Sequence, residues 1–279
     1  MSSRILLTGA TGFVGQQVLK FLQNVNSDII LIVRRNSEKK IKNLIGISRI
    51  IITENLFLES EKWWTEACSG VDIVIHLAWY LEPGKYLNSN KNMDCYKGSL
   101  SLVNGAIKSK VSRFIGIGTC FEYEQSNNIL TINTPLKPLT RYASAKVLLF
   151  DQLSKLLLNT DIEFVWCRLF YLFGENEHQR RLVPYIRSQL ESGKTAKLST
   201  GKQIRDFMDV KDAGKIIANI ANSKIKGPVN VCSGIPITVR ELAEKIADEY
   251  GRRDLLDFGA KPENEFEPSY IVGEKIIIY

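Results

Sequence analysis

The chain has 279 residues, 44% of them hydrophobic and 24% charged, the make-up of a globular protein long enough for one large domain with a substantial lobe. Its formal charge of +7 is spread along the chain without a basic arm or an aromatic-interleaved stripe, which excludes the usual nucleic-acid binder and leaves a solvated surface whose field favours anionic ligands. No stretch reaches the length of a membrane span, and the opening MSSRILLTGATGFVG lacks a secretory apolar core, so a cytoplasmic protein with no membrane partner is expected. The five cysteines, Cys68, Cys95, Cys120, Cys167 and Cys232, are odd in number and widely spaced. They read as buried thiols of a reducing compartment, and no metal site is expected.

Short apolar runs alternate with helix-period segments along the first part of the chain. The predicted order is a strand at Arg4–Thr8, a helix at Val14–Leu22, strands at Asp28–Arg34 and Ile50–Thr53, a helix at Glu61–Cys68 and a strand at Val71–His76. A helix at Met93–Lys108, a strand at Phe114–Gly118, a helix at Tyr142–Leu158 and a strand at Glu163–Leu169 follow. Strands that read as continuous apolar runs, joined by helices, imply a parallel sheet covered on both faces: an α/β, doubly wound fold over residues 1–169. Beyond it the pattern loosens into a helix at Val183–Leu190, short strands at Ala196–Leu198, Asp206–Val210 and Val229–Val231, and helices at Asp212–Ala221 and Val239–Tyr250, the last capped by Thr238. Residues 170–279 are expected to form a smaller C-terminal substrate lobe, with about 206–222 returning to the first part. No repeat or low-complexity linker separates the two.

Gly9, Gly12 and Gly15, in TGATGFVG, stand between the first strand and the first helix. That places free N–H groups and the positive end of a helix dipole where a dinucleotide pyrophosphate binds. The second strand ends in Val33-Arg34-Arg35-Asn36 with no carboxylate to take the ribose hydroxyls of NAD. Arginine there favours the 2′-phosphate of NADP, with NAD as the alternative.

Tyr142 and Lys146 are four apart, so one helix face carries both, and an ammonium near the phenol would favour its ionised form. Such a pair alone carries little; its position after the strand ending in Gly118-Thr119 gives it weight, because Thr119 then points to the same carboxyl-end crevice. Taken in order, TGATGFVG, VIHLA, GTCFEY, YASAK, RLFYLFGE and QIRDFMDV resemble the extended short-chain dehydrogenase/reductase family, in its nucleotide-sugar epimerase, dehydratase and 4-ketoreductase branch. The resemblance covers nearly the whole chain and implies a Rossmann sheet.

It also implies roles. Thr119 would hydrogen-bond the reacting oxygen, Tyr142 transfer the proton, and Lys146 bind the nicotinamide ribose and lower the tyrosine's pKa. The cofactor would be lined by Gly9, Thr11, Gly12, Phe13, Val14 and Gly15, by Arg34 and Arg35, by Asn55 and Leu56, by Leu77, Ala78 and Trp79, and by Tyr142, Lys146 and Phe170. Asn55 stands where the family commonly has an adenine-contacting aspartate, and Ala78 would let the cofactor pass closely. Arg205 resembles the arginine that holds the substrate diphosphate, and Cys120, Phe121, Tyr171 and Arg181 complete the substrate side. His76 reads as structural. Tyr171 replaces a common asparagine, and the chain ends at YIVGEKIIIY without the closing helix of many relatives, so part of the lid is expected to be built differently. In the resembling 4,6-dehydratases an Asp and a Glu follow the catalytic threonine, and here Cys120 and Phe121 stand there. In the resembling GDP-fucose synthases an epimerising cysteine aligns with Phe121 and its partner histidine near Arg181.

The expectation is therefore an NADPH-dependent 4-ketoreductase of a nucleotide-linked 4-keto-6-deoxyhexose, with an NAD-dependent 4-epimerase as the alternative and a cofactor-sensing binding protein as the rival from another class. The resemblance also implies a homodimer through the helices at Met93–Lys108 and Tyr142–Leu158.

Overall fold

The computed structural model describes residues 3–25, 28–263 and 268–276; of the terminal YIVGEKIIIY stretch, residues 277–279 fall outside them. Elements follow in the order β1 (Arg4–Thr8), α1 (Phe13–Asn24), β2 (Asp28–Arg34), β3 (Ile47–Thr53), α2 (Glu61–Ala67), β4 (Ile73–His76), α3 (Lys91–Lys108), β5 (Arg113–Thr119), α4 (Arg141–Leu158) and β6 (Glu163–Leu169). They continue with β7 (Tyr171–Phe173), α5 (Leu182–Glu191), β8 (Ala196–Leu198), β9 (Ile204–Asp209), α6 (Val210–Ala221), β10 (Gly227–Val231), β11 (Pro236–Thr238), α7 (Val239–Tyr250), β12 (Leu256–Phe258) and β13 (Tyr270–Ile271).

A seven-stranded sheet runs in the order β10-β6-β5-β4-β1-β2-β3, every pair parallel. The alternate residues Ile5 and Leu7 of β1 pack with Val18 and Leu22 of α1 and Val210, Ala213 and Ile217 of α6, while Leu6 joins Trp64, Leu102, Val103 and Leu149 on the opposite face. Period-2 side chains that are apolar on both sides leave the sheet no solvent face, which is why these strands read as unbroken apolar runs. Order reverses between β1 and β4, so the crevice outside their carboxyl ends is where a ligand can reach the sheet.

The chain's return to the sheet extends beyond 206–222. β9 belongs to the lobe, where it pairs with β7, β11 and β13, whereas α6 packs on α1 and β10 pairs with β6 as the seventh strand. The strand at Val229–Val231 was expected, but its place was not: these residues are buried beside β6 through a pairing with Cys167–Leu169 that lies about sixty residues away in the sequence and leaves no local signal. α7 is set by its predicted cap: Thr238 Oγ1 accepts from Glu241 N and Glu241 reaches back to Thr238 N, with Gly251 closing the helix in the left-handed region. A second apolar cluster holds the lobe, with Val183, Ile186 and Leu190 of α5 against Leu242, Ala243 and Ile246 of α7.

Helices α1 and α6 pack backbone to backbone at Gly214. A Cβ built on Gly214 would fall 2.6 Å from Gln17 Cβ and 2.9 Å from its carbonyl carbon, neither of which can rotate away. Gly214→Ala should therefore destabilise. Helix propensity returns about 1 kcal/mol, while overpacking against backbone costs about 3 kcal/mol, and the urea midpoint is expected to fall with unchanged slope.

Candidate active site

The site begins where β1 ends. Gly9 adopts φ +74, and a Cβ there would lie 2.7 Å from Ala78 N, at the end of β4. The turn closes through Gly12 N–H to the Gly9 carbonyl at 3.0 Å, and a Cβ on Gly15 would lie 2.0 Å from that same oxygen. Only glycine fits either place. Gly12 is exposed and is the N-cap of α1, and among the described residues no side chain bonds to the first-turn amides of Phe13 and Val14. Those amides and the dipole behind them fit a pyrophosphate. Thr11 gives its carbonyl to Gln16 Nε2 at 3.0 Å. The loop after β7 folds over the same helix start: Asn176 Nδ2 donates to Gln16 Oε1 and Gln17 Nε2 to Glu175.

Along the carboxyl ends of β2 and β3, Arg34 is exposed and Arg35 forms an ion pair with Glu54. A carboxylate thus stands beside the end of the second strand after all, supplied by the neighbouring strand through the pairing of Arg34 with Thr53; it is nineteen residues away in sequence. Asn55 uses Oδ1 locally, accepting from Phe57 N at 3.1 Å, and Leu56 opens a single helical turn at Leu56–Leu58. Leu77, Ala78 and Trp79 follow β4. His76 is structural: Nε2–H donates to Ser99 Oγ, whose own proton goes to the Cys95 carbonyl, and Nδ1 accepts from Thr8 Oγ1, both ring bonds at 2.8 Å. Burial holds its pKa down to about 3, so it is neutral.

Thr119, Tyr142 and Lys146 come together at the ends of β5 and the start of α4, each less than a tenth exposed. Thr140 caps α4 through Ala143 N, which sets the phase that turns Tyr142 and Lys146 inward. The Lys146 ammonium donates to the Ile117 carbonyl at 2.7 Å and lies 3.5 Å from the centre of the Trp79 ring. Burial pulls it down to about 7, against the opposing charge of Glu122. The Tyr142 hydroxyl neighbours Thr119, and its ring is met edge-on by Tyr86 at 5.0 Å and Trp79 at 6.4 Å. Burial pushes the phenol well above its usual range, and the Thr119 hydrogen bond only partly offsets this. The expected lowering of the phenol by the lysine is not what this geometry produces, because the ammonium is taken up by a carbonyl and an indole face while both groups are desolvated.

Among the residues expected on the substrate side, Phe121 meets Tyr171 edge-on at 5.9 Å, Tyr171 meets Phe207 at 5.7 Å, and the Arg205 guanidinium lies 5.3 Å from the Tyr171 ring. Cys120 is buried in the same junction with Phe170, and burial pushes its thiol up to about 12. It is protonated at neutral pH and cannot serve as a base. Arg181 stands at the start of α5, half-exposed and paired with Glu177. Among the described residues no cluster of His, Cys, Asp or Glu could hold a metal, and no helix is long and apolar enough to cross a membrane.

Four residues that position this site escaped the sequence reading. Tyr86 covers Tyr142; Asn92 accepts from the Trp79 indole at 2.8 Å; Glu54 holds Arg35; Glu122 lies beneath Thr119. Only the last had a local signal, a Thr-x-x-Glu spacing that matches a capping box.

Compared with known proteins, residues 5–232 match the NAD dependent epimerase/dehydratase family. The chain belongs to that family. It is thus an enzyme of the oxidoreductase type with a nicotinamide-dinucleotide site, which the glycine turn and the open first-turn amides of α1 fit. A dTDP-6-deoxy-L-talose 4-dehydrogenase (NAD(+)) of Aggregatibacter actinomycetemcomitans is 25% identical over 97% of this chain and 99% of its own length. CDP-abequose synthase of Salmonella typhimurium is 24% identical over 96% of this chain and 89% of its own. Among solved structures, UDP-N-acetylglucosamine 4-epimerase from Methanobrevibacter ruminantium M1, in complex with UDP-N-acetylmuramic acid, superposes with a TM-score of 0.87 at 21% identity over 99% of this chain and 90% of that one, which establishes the shared fold.

Gly9→Ala should force the turn away from Ala78 and the α1 amides. Nicotinamide-dinucleotide affinity, followed by quenching of protein fluorescence, is expected to fall at least tenfold, about 1.4 kcal/mol, with the far-ultraviolet circular dichroism unchanged.

Proposed function

We propose that this enzyme reduces the C4 ketone of a nucleotide-linked 4-keto-6-deoxyhexose, with NADPH as the hydride source. The observation that carries the reading is the placement of Thr119 and Tyr142 hydroxyls together at the sheet's carboxyl edge, beside a glycine turn, with a buried thiol and a phenylalanine as the next two residues after Thr119. Neither Cys120 nor Phe121 offers the acid–base pair that expelling water would need. The two curated relatives support the sugar-nucleotide class, one being by name a 4-dehydrogenase of a dTDP-linked 6-deoxy sugar.

The bound nicotinamide would supply the hydride to C4. Thr119 and Tyr142 would hold the carbonyl oxygen between two hydroxyls, and Tyr142 would give it a proton. The high phenol pKa suits a group that must arrive protonated. Lys146 would bind the ribose hydroxyls, and the basic, aromatic wall of Arg205, Tyr171 and Phe121 would take the diphosphate and the deoxygenated sugar edge. A homodimer through α3 and α4 belongs to the same proposal, with Met93 and Leu148 exposed there. A second reading, an NAD-retaining 4-epimerase, is favoured by one observation: Glu54 offsets Arg35 and leaves Arg34 to carry the preference for a 2′-phosphate.

The test is a panel of nucleotide 4-keto sugars with NADPH or NADH, followed by loss of reduced-cofactor absorbance. Turnover should appear on a 4-keto-6-deoxy substrate and fall by about 10²–10⁴-fold in Tyr142→Phe, with cofactor affinity nearly intact; a variant keeping more than a tenth of the rate would place the chemistry elsewhere. Arg34→Ala should weaken NADPH by about tenfold to a hundredfold, since a charge-assisted contact is worth about 1.5–3 kcal/mol, and leave NADH little changed. Equal affinity for the two cofactors in the parent enzyme favours the epimerase.

A further inference from the structure

Beneath the catalytic threonine lies a fully buried carboxylate that the proposed chemistry does not use. Glu122 Oε1 accepts from the Thr119 backbone N–H at 2.9 Å, Oε2 accepts from Arg168 Nε at 2.7 Å, and the Trp166 indole N–H lies 3.1 and 3.0 Å from the two oxygens. Glu122 and Arg168 are 0% and 1% exposed. All three partners are donors, which a protonated carboxyl would fit poorly. Burial raises the Glu122 carboxyl, and the Arg168 guanidinium opposes that rise. The site therefore suits the anion. Arg168 continues to the Tyr123 hydroxyl at 3.1 Å, which donates to Asn230 Oδ1 at 2.6 Å.

A buried ion pair is poor value as a stabiliser, because desolvating two charges offsets their attraction and apolar replacements often serve as well. A pair placed under Thr119 calls for another role. We propose that Glu122 is the positioning residue of this site: its carboxylate fixes the Thr119 backbone so that the hydroxyl faces Tyr142, and its negative charge acts on the Lys146 ammonium across Trp166, whose N–H it accepts and whose ring lies 5.9 Å from Lys146 Nζ. This rests on the reading that Thr119 and Lys146 serve the reaction.

The groups facing Lys146 leave Glu122 as its source of negative charge. From α3, Cys95 faces it, with a thiol that burial raises to about 11 and which is therefore neutral. From β4 comes neutral His76, from its own helix the protonated Tyr142, from β6 the uncharged Trp166 ring at 5.9 Å, and from the segment after β4 the uncharged Trp79 ring; beyond these, Tyr86 covers Tyr142 and the cation Arg168 is paired with Glu122 itself. Glu122 is the largest influence opposing the burial that lowers the Lys146 pKa. Removing its charge shifts Lys146 further down, and the fraction protonated at neutral pH falls.

The experiment is an NMR titration of the Lys146 13Cε signal in cofactor-free protein, assigned by its loss in Lys146→Met, together with the pH profile of kcat. In Glu122→Gln the Lys146 midpoint should fall by about one pH unit, the low end of the range for loss of a nearby opposite charge, and the alkaline limb of kcat should move with it while KM stays within twofold. Glu122→Asp, which keeps the charge, should hold the midpoint near its original value. If Glu122→Gln leaves Arg168 too poorly satisfied to fold, Glu122→Gln with Arg168→Met removes both charges, and a smaller fall in the same direction is expected. A midpoint that does not move in either neutral variant, or a kcat that drops equally at every pH, overturns the proposal. The titration needs no substrate, so it fails or succeeds independently of whether the reaction is a 4-keto reduction.

Discussion

A parallel sheet packed on both faces leaves only the ends of its strands open to a ligand, and this constraint organises the rest of the molecule. Since β1 and β4 are parallel neighbours where the strand order reverses, the glycine turn and the Leu77–Trp79 segment lie against each other there, close enough that Gly9 has no room for a Cβ. Thr119 ends the adjoining strand and α4 delivers Tyr142 and Lys146 to the same edge. The cost of building chemistry at the rim of a dry core is electrostatic. Burial disfavours the charged form of every titratable group there, raising Tyr142 and lowering Lys146. Any group that must stay charged at this edge needs a partner with an opposite charge nearby.

The strands were legible because period and composition decide them locally. Asp28–Arg34 and Glu163–Leu169 coincide with β2 and β6, and Val239–Tyr250 with α7, whose cap is written into Thr238 and Glu241. The glycine turn was legible from its spacing between a strand and a helix, and the Tyr-x-x-x-Lys pair from its place at the start of the helix after the strand that ends in Thr119. Residues that act across the sheet were not. Glu54 meets Arg35 because β3 pairs with β2, and Arg168 meets Glu122 because β6 pairs with β5. Sequence distance carries no trace of such pairings. The direction of the Tyr142 shift was hidden likewise, since spacing gives the proximity of a lysine but not the carbonyl and the indole that occupy it.

Strand β9 shows how one short segment serves both an aromatic, basic wall and the frame that holds it. Side chains alternate along a strand, and here odd and even positions divide the work. Arg205 and Phe207 both face the ring of Tyr171, whose strand pairs with β9 in the register Tyr171 to Phe207. Asp206, between them, points the other way. It accepts from Ser233 N and Oγ at 2.7 and 2.6 Å, from Gly234 N at 2.9 Å and from Gly273 N at 3.3 Å, so a single buried carboxylate ties the turn after β10 to the segment after β13. The former belongs to the large sheet's last strand and the latter to the lobe. The aromatic, basic wall and the joint between sheet and lobe are thus set by neighbouring residues of one strand, and a shift of one register position would put the anion on the wall and the cation at the joint.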